Sequence, residues 1–598
     1  MFVRSSKTKK NGKTYYNYLL MESYRNEDGD PRNRVILTLG SDFDLPRDKW
    51  RDFAKAVENR LYGTPALFDD TDDIRRWVDW TVPRVRFKET QASPARRFAE
   101  VDLESTEANQ VRSLGPTAVG HYFWQKLGFD SILRSVGLSE RYIDLAEAVI
   151  LNRLIAPCSE HATPPWVRRT ALDDLIGRSF DRLVEDPLYR VSDVLLKHRV
   201  EIEAALYERE RNLFSLDGAI FLWDITSTYF EGSAALNPKA ARGYSRDGRP
   251  DCKQVTIGLA LDGEGFPLGH EVFAGNRSDM TTVSEMLDAL EARTGRETGR
   301  LVVVDRGMAS DENLNTIRER GYHYIVAARQ SERGEWEEDF AGDEAEWSEL
   351  GAGVRYKVRR RSGELLLLCV SEGRSKKDRA IREKAEKRFL EGLSRLAASV
   401  EKGNVKKREA VERRVGRLQE RFPRAAKYYR VEYVTDDSGR RLLWQRNEER
   451  MKSAEKLDGG YILRTSRTDL TGDQIWRTYV LLTRVEKGFE YLKSDLGLRP
   501  VYHRLERRVD GHIFISILAY HILHAIERTL RQSGDRRRWS TVRDILSTHI
   551  RLIIGQTGKD RKYLMKINSN PDDEQKEIYK LPGMNKTNFP KRTYTDTS

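Results

Sequence analysis

Two aspartates follow predicted strands in the middle of the chain and could together hold a metal ion. Asp224 closes the apolar run 219–224, and Asp305 follows the continuous apolar run 301–304. In an open α/β sheet, ligands bind outside the carboxyl ends of the strands. Two carboxylates placed there repel each other unless a cation lies between them, and Mg²⁺ prefers such oxygen ligands. The pattern favours a metal site; the alternative is a pair of turn aspartates, which is how we interpret Asp217 in Ser-Leu-Asp-Gly.

A third carboxylate lies on a predicted long helix. Tyr479, Leu482, Glu486 and Lys493 have the spacing i, i+3, i+7 and i+14, which forms one stripe along a helix. Such a stripe suits a helix face pressed against a metal-bound phosphate, with Lys493 touching the backbone of a nucleic acid. The alternative is a solvated glutamate, and Glu490 is an equally spaced rival for the same role.

The elements that must position these residues have the order β-β-β-α-β-α-β. An antiparallel meander that continues into crossover units predicts one mixed sheet with helices on its faces. The predicted strands are 219–224, 255–261, 267–274, 301–304 and 322–327, and the predicted helices are 282–293 and 311–320. After an interruption, a further strand is expected at 461–465. The long helix then begins after Thr471, a favourable N-cap, and ends at Gly497.

The interrupting region, from about residue 330 to 457, is strongly basic. It begins and ends with strand-like pieces at 355–359, 365–370, 430–434 and 442–444, and two helical stretches between them predict an antiparallel helical hairpin. Residues 374–427 contain 19 Lys and Arg against 8 Asp and Glu. Concentrated positive charge indicates a polyanionic partner, because neutralising phosphates releases counterions. We therefore expect Lys406, Lys407 and Arg408 to bind DNA; the alternative is a solvated helical surface.

Composition excludes several classes of protein. The chain has 598 residues, a net charge of +12 and only three cysteines, none of them in a CxxC pair, so a disulfide framework and a zinc ribbon are excluded. The longest apolar stretch, 513–526, is short and carries His521 and His524, which predicts a core helix and not a membrane span. Histidines therefore give little support for another metal site. The basic N-terminus lacks the apolar stretch of a secretory signal, and we expect a cytoplasmic protein.

The remaining segments complete a provisional division of the chain. The N-terminus predicts a β-hairpin, residues from about 44 to 211 are mostly helical, and the segment from 558 onward is polar and is expected to be poorly ordered. The predicted regions are an N-terminal β-hairpin and helical region at 1–100, a helical region with a possible role in binding DNA ends at 101–212, a first part of the sheet domain at 213–329, an insertion at 330–457, a second part at 458–535 and a polar tail at 536–598.

Several motifs resemble those of insertion-sequence DDE transposases, in the group whose helix carries Tyr-x2-Arg-x3-Glu-x6-Lys. Tyr479, Glu486 and Lys493 match that signature, whereas Leu482 stands at the arginine position and departs from it. The contexts of the two aspartates, D-x-T-x-T-Y-F-x-G and D-R-G-M, also resemble this group. The same holds for the segments 275–279 and 499–503. The resemblance covers roughly residues 219–520.

The resemblance implies a ribonuclease-H-like catalytic domain: a mixed five-stranded sheet with flanking helices, interrupted by an inserted α+β region. It implies that Asp224, Asp305 and Glu486 are the catalytic and metal-binding triad, holding two Mg²⁺ ions with Mn²⁺ as the alternative. These residues are 305 − 224 = 81 and 486 − 305 = 181 positions apart, and the family's insertion accounts for the longer gap. The implied reaction is metal-dependent phosphoryl transfer: cleavage of DNA at the ends of an insertion sequence and strand transfer into target DNA.

The implied partners are double-stranded DNA, both terminal repeats and target, and a second copy of the chain as a homodimer on DNA. The implied location is the cytoplasm of a prokaryote, associated with the nucleoid when bound to DNA. Two other functions stay open from the sequence. One is a nuclease of the same fold that does not perform strand transfer, and the other is a transposase-derived protein that binds DNA without catalysis.

Overall fold

The computed structural model describes residues 1–10, 13–25, 30–62, 71–92, 99–351, 353–436 and 439–597. The chain divides into two compact units. The first comprises Met1–Ser105 with Gln556–Arg561, and the second comprises Thr106–Gly555 with Lys562–Ser598. The residues singled out above for chemistry all lie in the second unit.

The first unit contains a small antiparallel sheet and two helices. Its elements are β1 (Phe2–Lys10), β2 (Lys13–Arg25), β3 (Pro31–Gly40), α1 (Trp50–Tyr62) and α2 (Asp72–Ala92). Strands β2 and β3 form the predicted hairpin, with Leu20 opposite Leu37, and β1 adds a third strand. The hairpin turn at 26–29 lies outside the described residues. Leu20, Leu39 and Phe53 form a core between this sheet and its helices.

Strands from residue 102 onward build three further sheets. They are β4 (Asp102–Ser113), β5 (Ile220–Tyr229), β6 (Gln254–Asp262), β7 (Pro267–Ala274), β8 (Leu301–Val304), β9 (His323–Ala327), β10 (Ser348–Leu350), β11 (Val354–Arg361), β12 (Glu364–Ser371), β13 (Tyr429–Asp436), β14 (Gly439–Arg446), β15 (Gly460–Thr465), β16 (Ile550–Thr557), β17 (Lys562–Asn568) and β18 (Thr593–Thr597). The largest sheet has nine strands in the order β10-β11-β12-β15-β9-β8-β5-β6-β7.

The helices that accompany these strands are distributed along the whole second unit. They are α3 (Gly115–Leu127), α4 (Phe129–Ser135), α5 (Glu140–Ile155), α6 (Thr163–Arg168), α7 (Leu172–Ile176), α8 (Glu185–Lys197), α9 (Arg199–Phe214), α10 (Val283–Thr294), α11 (Asp311–Glu319), α12 (Glu337–Ala341), α13 (Glu372–Glu401), α14 (Arg408–Arg421), α15 (Pro423–Ala426), α16 (Glu448–Lys456), α17 (Gly472–Val480), α18 (Thr483–Glu490), α19 (Glu506–Gln532), α20 (Trp539–Leu546) and α21 (Asp573–Lys580).

The five predicted strands are consecutive neighbours at one end of the nine-stranded sheet, with β7 as its edge strand. Strands β5, β8 and β9 are parallel neighbours, and β6 and β7 continue from β5 as an antiparallel meander. These strands form the mixed sheet that was predicted. Strand β8 is apolar at every position because it is covered on both faces: Leu301 and Val303 belong to one hydrophobic core, and Val302 and Val304 belong to another.

The inserted region contributes to this sheet and also forms a part with its own core. Strands β10, β11 and β12 join the sheet through β15, so the two strand-like pieces at 355–359 and 365–370 extend it. The predicted helical hairpin is confirmed as α13 and α14. Phe389, Leu393 and Val411 are buried in a core that these helices share with the β13–β14 hairpin.

The expectation of a poorly ordered C-terminal segment was wrong. Residues from 558 onward form α21 and the strands β17 and β18 of a four-stranded sheet with the order β18-β17-β16-β4. The preceding part of the polar tail, 536–557, contains α20 and β16. The segment is polar on average, but Trp539, Leu546 and Ile578 are buried in the largest hydrophobic core of the protein. A few large apolar side chains suffice here because the rest of the chain supplies the surface on which they pack.

Helix α19 is long and apolar enough to cross a membrane by length and composition, but 94% of its apolar window is buried inside the protein. It packs against α3, α5 and α8. The prediction of a core helix at 513–526 is therefore confirmed.

Candidate active site

The sheet places Asp224 and Asp305 side by side. Strands β5 and β8 are parallel, with Trp223 opposite Val304, and each aspartate is the next residue along its chain. Asp224 is partly buried within β5, and its Oδ1 accepts a hydrogen bond of 2.7 Å from the backbone N–H of Ile225. Asp305 is exposed and begins a short 3₁₀ turn immediately after β8.

Helix α18 brings Glu486 to the same place. The helix packs across β5 and β6, and at Gly488 it lies close to Leu259, since a Cβ there would be in ordinary contact with Leu259 Cδ2 at 3.6 Å. Leu259 is the residue of β6 that faces Asp224 in the ladder. Glu486 is exposed, and in the described part of the chain it makes no ion pair. Its rival Glu490 is held by Arg538 at 2.9 Å.

The pKa of Asp224 is affected by the two other carboxylates of the site. Burial, together with the negative charges of Asp305 and Glu486, raises the pKa of Asp224 to about 7, against the opposing effects of the Ile225 N–H and Arg246. Carboxylates that share a site hold a proton unless a cation compensates them. Residues from three distant segments therefore form one electrostatically coupled acidic site at the edge of the sheet.

Tyr479 faces this acidic site from α17. It lines a small cleft together with Asp305, Arg306, Arg333 and Arg374. Burial and the neighbouring acidic charges raise the pKa of Tyr479 to about 12, so the phenol stays protonated and is available as a hydrogen-bond donor. Arg374 comes from the first turn of α13, so the basic insertion reaches the edge of the acidic site.

The predicted long helix is divided into α17 and α18. The break changes the relative directions of the side chains that a single helix would place in one stripe. Thr471 caps α17 as expected, with its side chain accepting a hydrogen bond from the N–H of Gln474. Between α17 and α18, the N–H groups of Leu481 and Leu482 donate to carbonyls three residues back, which is 3₁₀ geometry. Each residue in this tighter turn rotates the following side chains by about 20° relative to an α-helix. Leu482, at the usual arginine position, is buried in the core.

Lys493 lies in a π-helical turn, Tyr491–Asp495, that follows α18. Its Nζ is 2.8 Å from Oδ1 of Asp247, and the same oxygen binds Arg499 at 2.5 Å. The Asp247 side chain is 1% exposed, and burial lowers the pKa of Lys493 against the opposing effect of this carboxylate. The structure therefore places Lys493 in a buried ion-pair cluster beside the site, and its contact with DNA stays a prediction.

Sequence reasoning missed two residues of the loop between β5 and β6. Arg246 acts electrostatically on Asp224 and pairs with Asp279 at 2.6 Å. Asp247 holds Lys493, as described above. The glycine-rich, charged run at 242–249 directly follows the first aspartate motif, and this was the signal that could have identified both.

Another cluster could in principle bind a metal. Among the described residues, the one group of three whose possible ligand atoms lie within 4.8 Å of one another is Glu160, His503 and His512. Both ring nitrogens of His512 are engaged, since Nδ1 is 3.0 Å from the Arg153 guanidinium and Nε2 is 3.2 Å from the carbonyl of Leu498. A buried guanidinium at this position favours a structural network over a cation site.

The predicted DNA-binding residues of the insertion are exposed. Lys406, Lys407 and Arg408 lie at the junction before α14, and Arg408 makes an exposed ion pair of 2.9 Å with Glu412. They are available to a partner, and their contact with DNA stays a prediction.

Comparison with known proteins agrees with this geometry. The family model described as "Transposase DDE domain" matches residues 217–522, and that for the N-terminal domain of IS1634 family transposases matches residues 3–63. Comparison with curated protein sequences gave no match. A cryo-EM structure of the piggyBac transposase synaptic complex with hairpin DNA is similar with a TM-score of 0.35 and 9% identity, over 72% of this chain and 79% of that one. Because the DDE model covers half of the chain, including all three carboxylates, the protein belongs to the DDE transposase family and is a DNA-cleaving transposase of the insertion-sequence type.

Proposed function

We propose that this transposase cuts DNA at the ends of its insertion sequence and joins the freed ends to target DNA, with Asp224, Asp305 and Glu486 as the catalytic triad. One observation carries the assignment. Three carboxylates separated by 81 and 181 residues meet at the edge of one sheet, and the charges of two of them raise the pKa of the third.

The residues of the site fit a divalent metal. Within the described residues, these three carboxylates form no ion pair. They form a hard-oxygen donor set, and the raised pKa of Asp224 reflects an electrostatic cost that a cation relieves. We assign two Mg²⁺ ions to this set, with Mn²⁺ able to replace them. When bound, such ions supply activation of the attacking oxygen and stabilisation of the leaving oxygen in an in-line displacement.

The protein's own residues position the DNA strand for this displacement. Asp224 must release its proton to bind a cation. The Tyr479 phenol is placed to donate a hydrogen bond to a phosphate oxygen, and Arg306 and Arg374 line the same cleft as cations for the backbone. Lys493 is kept beside the site by Asp247, from which a phosphate oxygen can recruit it.

The basic insertion extends the DNA contact away from the chemistry. Lys406, Lys407 and Arg408 neutralise backbone phosphates of the bound end in this proposal. Joining two ends to one target requires two active sites, so a homodimer forms on DNA. An enzyme with these partners works in the cytoplasm of a prokaryote and is associated with the nucleoid.

The proposal is tested by incubating the protein with Mg²⁺ and DNA that carries the element's own ends. Nicks at the ends and products joined to a second duplex are expected for the wild type and for Asp217→Asn, a matched control in an exposed turn. Neither product is expected for Asp305→Asn. Cleavage without joining would instead identify a nuclease, and full activity of Asp305→Asn would reject the triad.

A further inference from the structure

A second charged feature lies on another side of α18. Helices α18 and α19 and the turn between β6 and β7 enclose a cleft of about 470 Å³, a volume typical of ligand sites. Arg484, Lys487, Arg528 and Arg531 line it, and Glu264 is the only carboxylate among its lining residues. We call this feature the basic cleft.

The cations of the basic cleft have few acceptors of their own. In the described part of the chain, Lys487 makes no ion pair, and the Nε of Arg528 is buried without a hydrogen-bond partner. Arg484 donates a hydrogen bond to the carbonyl of Gly263. The carboxylate contacts of Arg484, Arg528 and Arg531 are long, at 3.7, 3.9 and 3.8 Å. A guanidinium carries five N–H donors, so the cleft presents many more donors than acceptors.

The nearest buried carboxylate, Glu527, cannot satisfy these cations. It accepts hydrogen bonds of 2.6 Å from the Tyr491 hydroxyl and 2.9 Å from the Trp539 backbone N–H. With this acceptor engaged, the unpaired donors of the cleft are left for an external ligand that brings several oxygens.

The wall of the cleft opposite α18 is rigid. Oδ1 of Asp262 accepts hydrogen bonds from three successive backbone N–H groups of the turn, and the Tyr520 hydroxyl donates to the carbonyl of Gly265. His524 packs beneath this turn, and burial together with the positive charges of the cleft lowers its pKa to about 3. His524 is therefore neutral at physiological pH and adds no positive charge of its own to the cleft.

The basic cleft and the acidic site lie on different sides of α18. At about 100° per residue, Arg484 projects roughly 160° away from Glu486 around α18. A strand held by Asp224, Asp305 and Glu486 therefore lies on a different side of the helix from the cleft. The two positively charged side chains at the mouth of the cleft, Lys487 and Arg531, are exposed to solvent.

We propose that the basic cleft binds the phosphodiester backbone of a second DNA segment, apart from the strand held at the acidic site. The ligand is a phosphate-bearing polyanion, because guanidinium and ammonium groups that outnumber the carboxylates beside them match phosphate oxygens. The inference rests on the proposed function only in that the first DNA segment occupies the acidic site.

The test uses the full chain in EDTA, so that binding is read without cleavage. The protein is first saturated with an unlabelled duplex carrying the element's end, and a fluorescent duplex of unrelated sequence is then titrated at several salt concentrations. The variant is Lys487→Gln with Arg531→Gln, which spares the half-buried Arg528. The matched control is Arg51→Gln with Lys55→Gln, two exposed cations of α1 outside the cleft.

The variant is expected to bind the second duplex about tenfold more weakly, with a salt slope reduced by about 1.8, and to bind the first duplex like the control. Unchanged second-duplex binding would overturn the proposal, and so would an equal loss for both duplexes. A third outcome is that inorganic phosphate raises the unfolding temperature of the wild type while the variant binds both duplexes like the control. That outcome would assign the cleft to a small anion instead. Because no arm depends on cleavage, failure of the triad assignment would be visible separately.

Discussion

Replacing Asp224 by asparagine should stabilise the metal-free protein at neutral and alkaline pH. The folded protein keeps this carboxyl protonated up to about pH 7, whereas the unfolded chain ionises it near its ordinary pKa of 3.8. Between these values the unfolded state binds fewer protons than the folded state. The free energy of unfolding therefore falls as pH rises, by up to about 1.4 kcal/mol per pH unit.

The size of the effect follows from the same two pKa values. Near pH 8 the ionised Asp224 costs the folded state on the order of 4 kcal/mol, and near pH 4 it costs less than about 1 kcal/mol. Asparagine removes this cost and keeps a side-chain oxygen that can accept the Ile225 N–H. The second unit has roughly 490 residues, so its unfolding entropy is about 1 kcal/mol/K, and the midpoint should rise by about 3–4 °C near pH 8.

The assay is thermal unfolding of wild type and Asp224→Asn in EDTA from about pH 4 to about pH 8, repeated with Mg²⁺. The variant should gain stability over the wild type as pH rises, while Mg²⁺ should stabilise only the wild type, because binding to the folded state shifts the midpoint. Asp217→Asn, in an exposed turn, should show neither effect. A difference that does not change with pH, or a less stable Asp224→Asn near pH 8, would refute the electrostatic reasoning.

Three further outcomes are expected. Asp305→Asn should reduce cleavage of element ends to background in a gel assay while DNA affinity stays within about twofold, because the residue is exposed and removes no core contact; lost binding would contradict this. Neutralising Lys406, Lys407 and Arg408 to glutamine should lower the salt slope of DNA binding by up to about 2.7, measured by anisotropy, and an unchanged slope would show that these residues face another partner. Asp247→Asn should destabilise the protein by about 3 kcal/mol in thermal unfolding, because it leaves the buried Lys493 ammonium without its carboxylate. An unaltered midpoint would show that Lys493 reaches solvent.

Local sequence patterns were sufficient to predict the elements of the site. The apolar run of β8 reads as a doubly covered strand, so the position of Asp305 at its end followed directly. The polar signal at Thr471 predicted the start of α17, and the repeated apolar spacing predicted α13 and α14. These features depend on neighbours within a few turns of the chain, which is why they are legible in one sequence.

Other features depend on which distant segments meet. Strands β10–β12 join the main sheet because β15 pairs with both β12 and β9, and no local pattern records that pairing. The polar C-terminal segment folds because Trp539 and Ile578 find a core built by residues hundreds of positions earlier. The break between α17 and α18 arises where a helix must pack on two different groups of strands.

The residue types and their spacing by themselves identified the acidic groups that could act together. They also showed that a basic insertion lies between two of these groups along the chain. Only the tertiary structure decided that Asp247 holds Lys493, that Glu486 and not Glu490 is left unpaired, and that α18 carries a cationic cleft on another side. The physical reason is that residue types and periodicity are local properties, whereas a pKa, an ion pair or a cleft depends on the distances between segments that only folding brings together.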